Sequence, residues 1–254
     1  MRTVAILIVA ILGACSAQVG ARVAEPPVEA MTIPAPVRAG PELTVPRILP
    51  VPAPDPEPFA MNLFREGDFV PQHTFEWCVA ASIQMTWNMA RDPNRSSADD
   101  QGAVWRQARA RSNDQWGGAS GRGWARLLNE WEVGEYRLVS YPDYDEALRA
   151  AASAIRETEL AVGLIVWRGR HAWVMSGFTA IGDPAVHDDF VVTGINVLDP
   201  LYPHGDDVWG PSPEPNALLT PDELGRQFKA RDRHAWGPDS PTGYVLVLPV
   251  APQS

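Results

Sequence analysis

Cysteine is nearly absent from this chain of 254 residues, which carries only Cys15 and Cys78. Two cysteines cannot build the disulfide framework of a small secreted module, and they leave no paired thiolates to hold zinc. Basic charge is short as well. A formal net charge of -10 argues against a nucleic-acid partner, which needs a basic patch to displace counterions from phosphates. The apolar run from Thr3 to Ala14 is far below the roughly 20 residues that span a bilayer. No internal repeat is present. The Gly-rich stretch WGGASGRG lacks the lysine and the strand-to-helix context of a phosphate loop. The histidines are scattered without ligand spacing, so neither a metal nor another cofactor is expected.

What is present begins with MRTVAILIVAILGACSAQ. Arg2 followed by a short apolar run reads as a signal peptide rather than a membrane helix, which implies export. The end of that run, Leu12, Gly13, Ala14 and Cys15, resembles a bacterial lipobox. The resemblance implies cleavage after residue 14 and a lipid on Cys15; the alternative is an ordinary signal that discards Cys15. A disulfide between Cys15 and Cys78 ranks last, because it would tie the leader to the head of a core helix. From Glu25 to Ala60 eleven prolines interrupt the text. Such a segment cannot be helix or central strand and favours extended polyproline conformation. Residues 15–60 therefore read as a tether to a membrane, although LTVPRILPV within it is apolar enough to dock along a domain. Residues 61–250 form one domain of ordinary size.

Within that domain the periodicity changes half-way. Cys78 to Met89, Ser97 to Ala110, WARLLNEWE and YPDYDEALRAAASAIRETE read as helices, with Ser96 or Ser97 and Asp143 or Asp145 as caps. After them LAVGLIVW, HAWVMSGF, FVVTGINVL and GYVLVLP read as strands. TPDELGRQFKAR adds a helix with Thr220 as cap and Pro221 at its first position. Helices first and an antiparallel sheet second imply an α+β domain whose halves meet at a cleft.

An odd thiol in an exported chain asks for a chemical reason. Cys78 begins a helix, where the helix dipole and unpaired amide hydrogens favour a thiolate. Gln72, six residues earlier, can curl back and offer its amide beside the Cys78 N–H as an oxyanion hole. His171 opens a strand, and Asp199 ends the next one before Pro200. Neighbouring strands can so present an imidazole and an orienting carboxylate side by side. His73, His187, His204 and His234 compete with His171, but they fall in loops or Pro-rich turns. Asp183, in its own Asp-Pro pair, competes with Asp199. Trp77 and Trp173, which flank the two candidate residues, are expected near the substrate.

Gln72, Cys78, His171 and Asp199, in that order, resemble the papain-like cysteine peptidases, and most closely their bacterial C39-like group with its His-Trp strand and its Asp-Pro. The resemblance covers roughly residues 71–203. It implies a papain-like fold in which the nucleophile helix packs on the antiparallel sheet, and hydrolysis of a peptide or amide bond through an acyl-enzyme. Cys78 would be nucleophile, His171 general base and acid, Asp199 the orienting group and Gln72 the oxyanion donor. The chain departs from the pattern in three ways. Val79 follows the cysteine where many members have Gly or Trp, TAIGDPAVHDD lengthens the stretch between His171 and Asp199, and no transporter is attached. The implied partner is a peptide or protein substrate, for an envelope protein a cell-wall peptide. The competing class is a papain-like domain that binds peptides without cutting them.

Overall fold

A computed structural model describes residues 54–113, 117–232 and 240–251. Residues 1–53, with Cys15 and most of the prolines of the expected tether, and His234 lie outside them. Five helices occur among the described residues: α1 (Cys78–Ala90), α2 (Ala98–Ala110), α3 (Gly121–Glu130), α4 (Tyr144–Thr158) and α5 (Pro221–Gln227). The strands are β1 (Pro58–Asn62), β2 (Glu135–Tyr141), β3 (Val162–Val166), β4 (His171–Ile181), β5 (Val191–Leu198), β6 (Gly205–Asp206), β7 (Gly210–Pro211), β8 (Ala217–Leu219) and β9 (Tyr244–Val250). The architecture is α+β, as the order of helical and strand patterns implies.

The main sheet runs β2-β9-β3-β4-β5-β8, and every neighbouring pair is antiparallel. Strand β4 is its axis. One edge pairs with β5, while the other serves two partners in succession: residues 171–175 pair with β3, and residues 177–181 with β1. Thus Pro58 to Ala60, which the proline count assigns to the tether, are part of the sheet. Proline is tolerated there because Pro58 is the first residue of a strand that pairs on one side only. The small hairpin β6–β7 stands apart from the main sheet.

Alternation along the strands sends side chains to two cores. Ala172 and Val174 join Val79, Ala80 and Ile83 of α1 and Trp124 and Leu128 of α3 on one face. Trp173 and Met175 join Ala151 and Ile155 of α4 on the other. Helices therefore cover both faces, α1 to α3 on one and α4 on the opposite one.

The helix boundaries follow local chemistry. Ser97, Ser120, Asp143 and Thr220 cap α2, α3, α4 and α5, each side chain accepting from the backbone N–H three residues on. Thr220 forms a full capping box with Glu223, the arrangement that satisfies two orphan donors at once. Helix α1 differs: Trp77 at its N-cap supplies no side-chain acceptor.

Close contact between α2 and α3 requires glycine. A Cβ on Gly123 would lie 2.2 Å from the Ala108 carbonyl oxygen and 2.5 Å from the Ser112 hydroxyl. The first of these is backbone and cannot rotate away, so Gly123→Ala must push α3 off α2. Overpacking of this kind costs about 1–3 kcal/mol. The expected result is a lower chemical-denaturation midpoint for Gly123→Ala, with an unchanged midpoint for substitution at exposed Arg126 on the same helix.

Candidate active site

Cys78 is the first residue of α1, and the start of that helix faces a cleft of about 620 Å³ between α1, the loop at residues 117–121 and the ends of β3, β4 and β9. Because Trp77 offers no cap, the first-turn amides of α1 are not claimed by a side chain. Unclaimed N–H groups and the positive end of the helix dipole are what a developing negative charge needs.

His171 is the first residue of β4 and lines the same cleft. Its Nε2 lies 2.7 Å from Asp199 Oδ1, and the Cys78 side chain is close enough to raise the pKa of the ring. With Nε2 engaged by the carboxylate, Nδ1 is left for the sulfur. Cys78, His171 and Asp199 thus form a continuous chain of contacts. His171 is 5% exposed and Asp199 fully buried.

Asp199 directly follows β5, and its carboxylate is satisfied on both oxygens. Leu201 N–H donates to Oδ1 at 2.9 Å, and the Ser212 hydroxyl donates to Oδ2. The competing Asp183 lies in the β4–β5 turn, where Arg156 binds it at 2.8 Å and 3.0 Å. It makes no contact with His171.

The turn before His171 is unusual. Trp167, Arg168 and Gly169 all have positive φ, at 54°, 57° and 95°. Two successive non-glycine residues in this region carry strain that the surroundings must hold in place. Trp167 Nε1 donates to Gln227 Oε1 at 2.7 Å, and Gln227 Nε2 donates to the Trp209 carbonyl at 2.8 Å. Held in this way, the Trp167 ring stacks on His171 with centroids 4.2 Å apart and on Trp209 at 5.9 Å. An indole face against the imidazole shields its bond to Asp199 and favours the cationic ring.

These contacts set the protonation of His171. Burial pushes its pKa down, but the hydrogen bonds to Asp199 and to Cys78 outweigh burial and raise it to about 9. The imidazolium form of the ring is therefore favoured across the neutral range.

Gln72 is placed differently from the other three. Its Nε2 donates to the Thr74 carbonyl at 3.0 Å, its Oε1 is buried without a partner, and it does not line the cleft. Its backbone N–H donates to the Pro200 carbonyl at 2.7 Å, which fastens the loop leading to Cys78 against the residue after Asp199. Gln101 of α2 clamps that loop again, accepting from His73 N–H at 2.8 Å and donating to the Pro71 carbonyl at 3.1 Å.

Neither expected tryptophan reaches the cleft. Trp77 stacks on Trp105 of α2, with centroids 6.3 Å apart. Trp173 points to the α4 face of the sheet and is 1% exposed. Trp173 shares the parity of His171, but His171 stands at the open end of β4, whereas Trp173 lies two residues inside the sheet and is enclosed by the core on the α4 side. The walls are made instead by Phe75, Ala119, Leu138, Ile165 and Val245, with Arg170 and Arg231 at the β3–β4 side. Among the missed residues, Trp167 alone had a sequence signal, as the aromatic that ends a strand four residues before the histidine. Ser212 and Gln101 had none.

The chain matches no known family model, no curated protein and no solved structure. Among the described residues no helix is long and apolar enough to cross a membrane.

The raised His171 pKa can be read directly. By NMR, the His171 ring is expected to titrate near 9 instead of near the ordinary 6.5. Asp199→Asn removes a group that raises it, so the midpoint must fall; an unchanged midpoint would refute the assigned role of Asp199.

Proposed function

We propose that this chain is an exported papain-like cysteine peptidase or amidohydrolase of the C39-like type, held at the cell envelope by a lipid on Cys15. The observation that carries the reading is the contact chain from Cys78 through His171 to buried Asp199 at the mouth of a cleft. Three groups of this kind, one nucleophile, one titrating ring and one orienting carboxylate, are the parts that acyl transfer requires.

In the proposed reaction the Cys78 thiolate attacks the carbonyl carbon of a peptide or amide bond in the cleft. The carbonyl oxygen takes the negative charge and is met by backbone N–H groups at the start of α1. His171, held as an imidazolium, gives its proton to the departing amine, the C–N bond breaks, and an acyl thioester remains on Cys78. The neutral imidazole then takes a proton from water, which attacks the thioester and releases the acid and the thiolate. Asp199 keeps the ring oriented throughout and balances its charge. Gln72 joins the oxyanion site only by exchanging its bond to Thr74 for one to the substrate oxygen.

A second reading, a papain-like domain that binds peptides without cutting them, draws on the same observation about Gln72: its amide is engaged away from the cleft. One experiment separates the two. The purified chain is alkylated with iodoacetamide from pH 4 to 9, beside Cys78→Ala and His171→Ala. The hydrolase reading expects rapid labelling of Cys78 well below the free-thiol pKa of about 8.5, and loss of that acid-side reactivity in His171→Ala. A thiol that stays inert until alkaline pH in both proteins supports the binding domain instead.

A further inference from the structure

A second hollow, of about 450 Å³, adjoins the cleft: Leu138 and Ser240 line both. Its charged lining consists of arginines only, Arg122 and Arg126 from α3 and Arg137 from β2. In a chain with net charge -10 that is a local reversal of sign. The guanidinium fork is the group that matches a carboxylate with two parallel hydrogen bonds.

Helix α3 breaks two local rules to bring these charges together. Helices α2, α4 and α5 each carry two acidic residues in the first turn, where the helix dipole favours negative charge. Helix α3 has none and places Arg122 there. It then repeats the charge four residues later at Arg126, on the same face, where like charges repel. Glu130 offsets part of this at Arg126, but the charge of Arg122 in the first turn has no local reward, which points to function.

The acidic residues nearby do not neutralise the group as a whole. Glu135 pairs with Arg137 through Nη2 at 2.5 Å, and Glu130 is bound by Arg111. Arg126 donates to the Arg111 carbonyl at 3.3 Å and also attracts Glu130, four residues on. Arg122 is half-buried and forms no hydrogen bond or ion pair with another described residue.

We infer that this hollow is a substrate subsite for acidic residues: the peptide in the cleft runs on past Leu138 and Ser240, and carboxylates a few positions from the scissile bond dock on Arg122, Arg126 and Arg137. The cleft itself is mainly apolar near Ile165, Leu138 and Val245, so the substrate has apolar residues at the reacting centre and negative charge beyond it. The assignment rests on the hydrolase reading for its meaning as substrate preference, but the binding surface is tested without catalysis.

The test uses the full chain carrying Cys78→Ala, with fluorescently labelled hexaglutamate as probe and hexalysine as control. Binding of hexaglutamate alone is expected, weakening with added salt and falling about tenfold in Arg122→Gln/Arg137→Gln. Arg149→Gln, on exposed α4 surface, is the charge-matched control and leaves binding unchanged. A circular-dichroism melt establishes that each variant is folded; should the double variant unfold, Arg126→Gln alone must still weaken binding. The inference is overturned if hexaglutamate does not bind, if the arginine substitutions leave binding unaltered, or if inorganic phosphate at equal concentration displaces the peptide, which would make this a phosphate site. If binding behaves as expected while the wild-type thiol proves inert, the hydrolase reading falls and the acidic-peptide surface stands.

Discussion

A carboxylate with no exposed surface must be satisfied from within the protein, because an unpaired buried charge costs several kcal/mol. Asp199 meets that condition with three donors: the His171 ring, the Leu201 amide and the Ser212 hydroxyl. Each donor comes from a different place, the start of β4, the turn after β5 and the segment after the β6–β7 hairpin. Removing any one leaves an oxygen short of a partner. The ring of His171 is thereby fixed from one side by the carboxylate and from the other by the Trp167 face. Its remaining nitrogen can point only where α1 begins.

That geometry explains why the sheet and α1 are arranged as they are. Strand β4 is paired with β3 from its first residue, His171 opposite Val166, and with β5 from Val174 onward, which sets the register of the histidine. Helix α1 is locked on the adjacent sheet face by Val79, Ala80 and Ile83, and the Ser82 hydroxyl donates to the Ala172 carbonyl. The loop ahead of α1 is fastened twice, to Pro200 by the Gln72 backbone and to α2 by the Gln101 side chain. A site built on elements held this firmly keeps its groups in contact before any substrate arrives, which is the condition for effective positioning.

Much of this was legible in the sequence, and the exceptions have physical reasons. The caps Ser97, Asp143 and Thr220 and the β-branched runs of β3, β4, β5 and β9 are local signals, and local signals determine local structure. Cys78, His171 and Asp199 could be named because each sits at the end of an element, where a side chain is free to meet a neighbour. Strand β1 was hidden by its prolines, since a strand paired on one edge tolerates what a central strand does not. Strand β2 was hidden by Glu135 and Arg137 on its exposed side. Trp173 was misplaced because a side chain two residues in from the end of β4 is enclosed by the core, while His171 at the end itself meets the cleft. The left-handed turn at Trp167 and Arg168 is held by Gln227, sixty residues away, and no local pattern announces it.

Gln72 shows where sequence order and resting geometry part. Its amide is bound to the Thr74 carbonyl, a neutral bond worth about 0.5–1.5 kcal/mol net. An oxyanion donor in acyl transfer is worth about 2.7–4 kcal/mol to the transition state. In the proposed reaction the exchange is favourable by the difference, but only when the oxyanion exists. A glutamine parked on its own loop at rest would thus act on the transition state and not on the bound substrate, which is where binding energy accelerates a reaction. The alternative, a chain that binds peptides without cutting them, gives the glutamine no reason to leave Thr74. It would also leave the strained turn at Trp167 and the buried imidazolium with no task that justifies their cost.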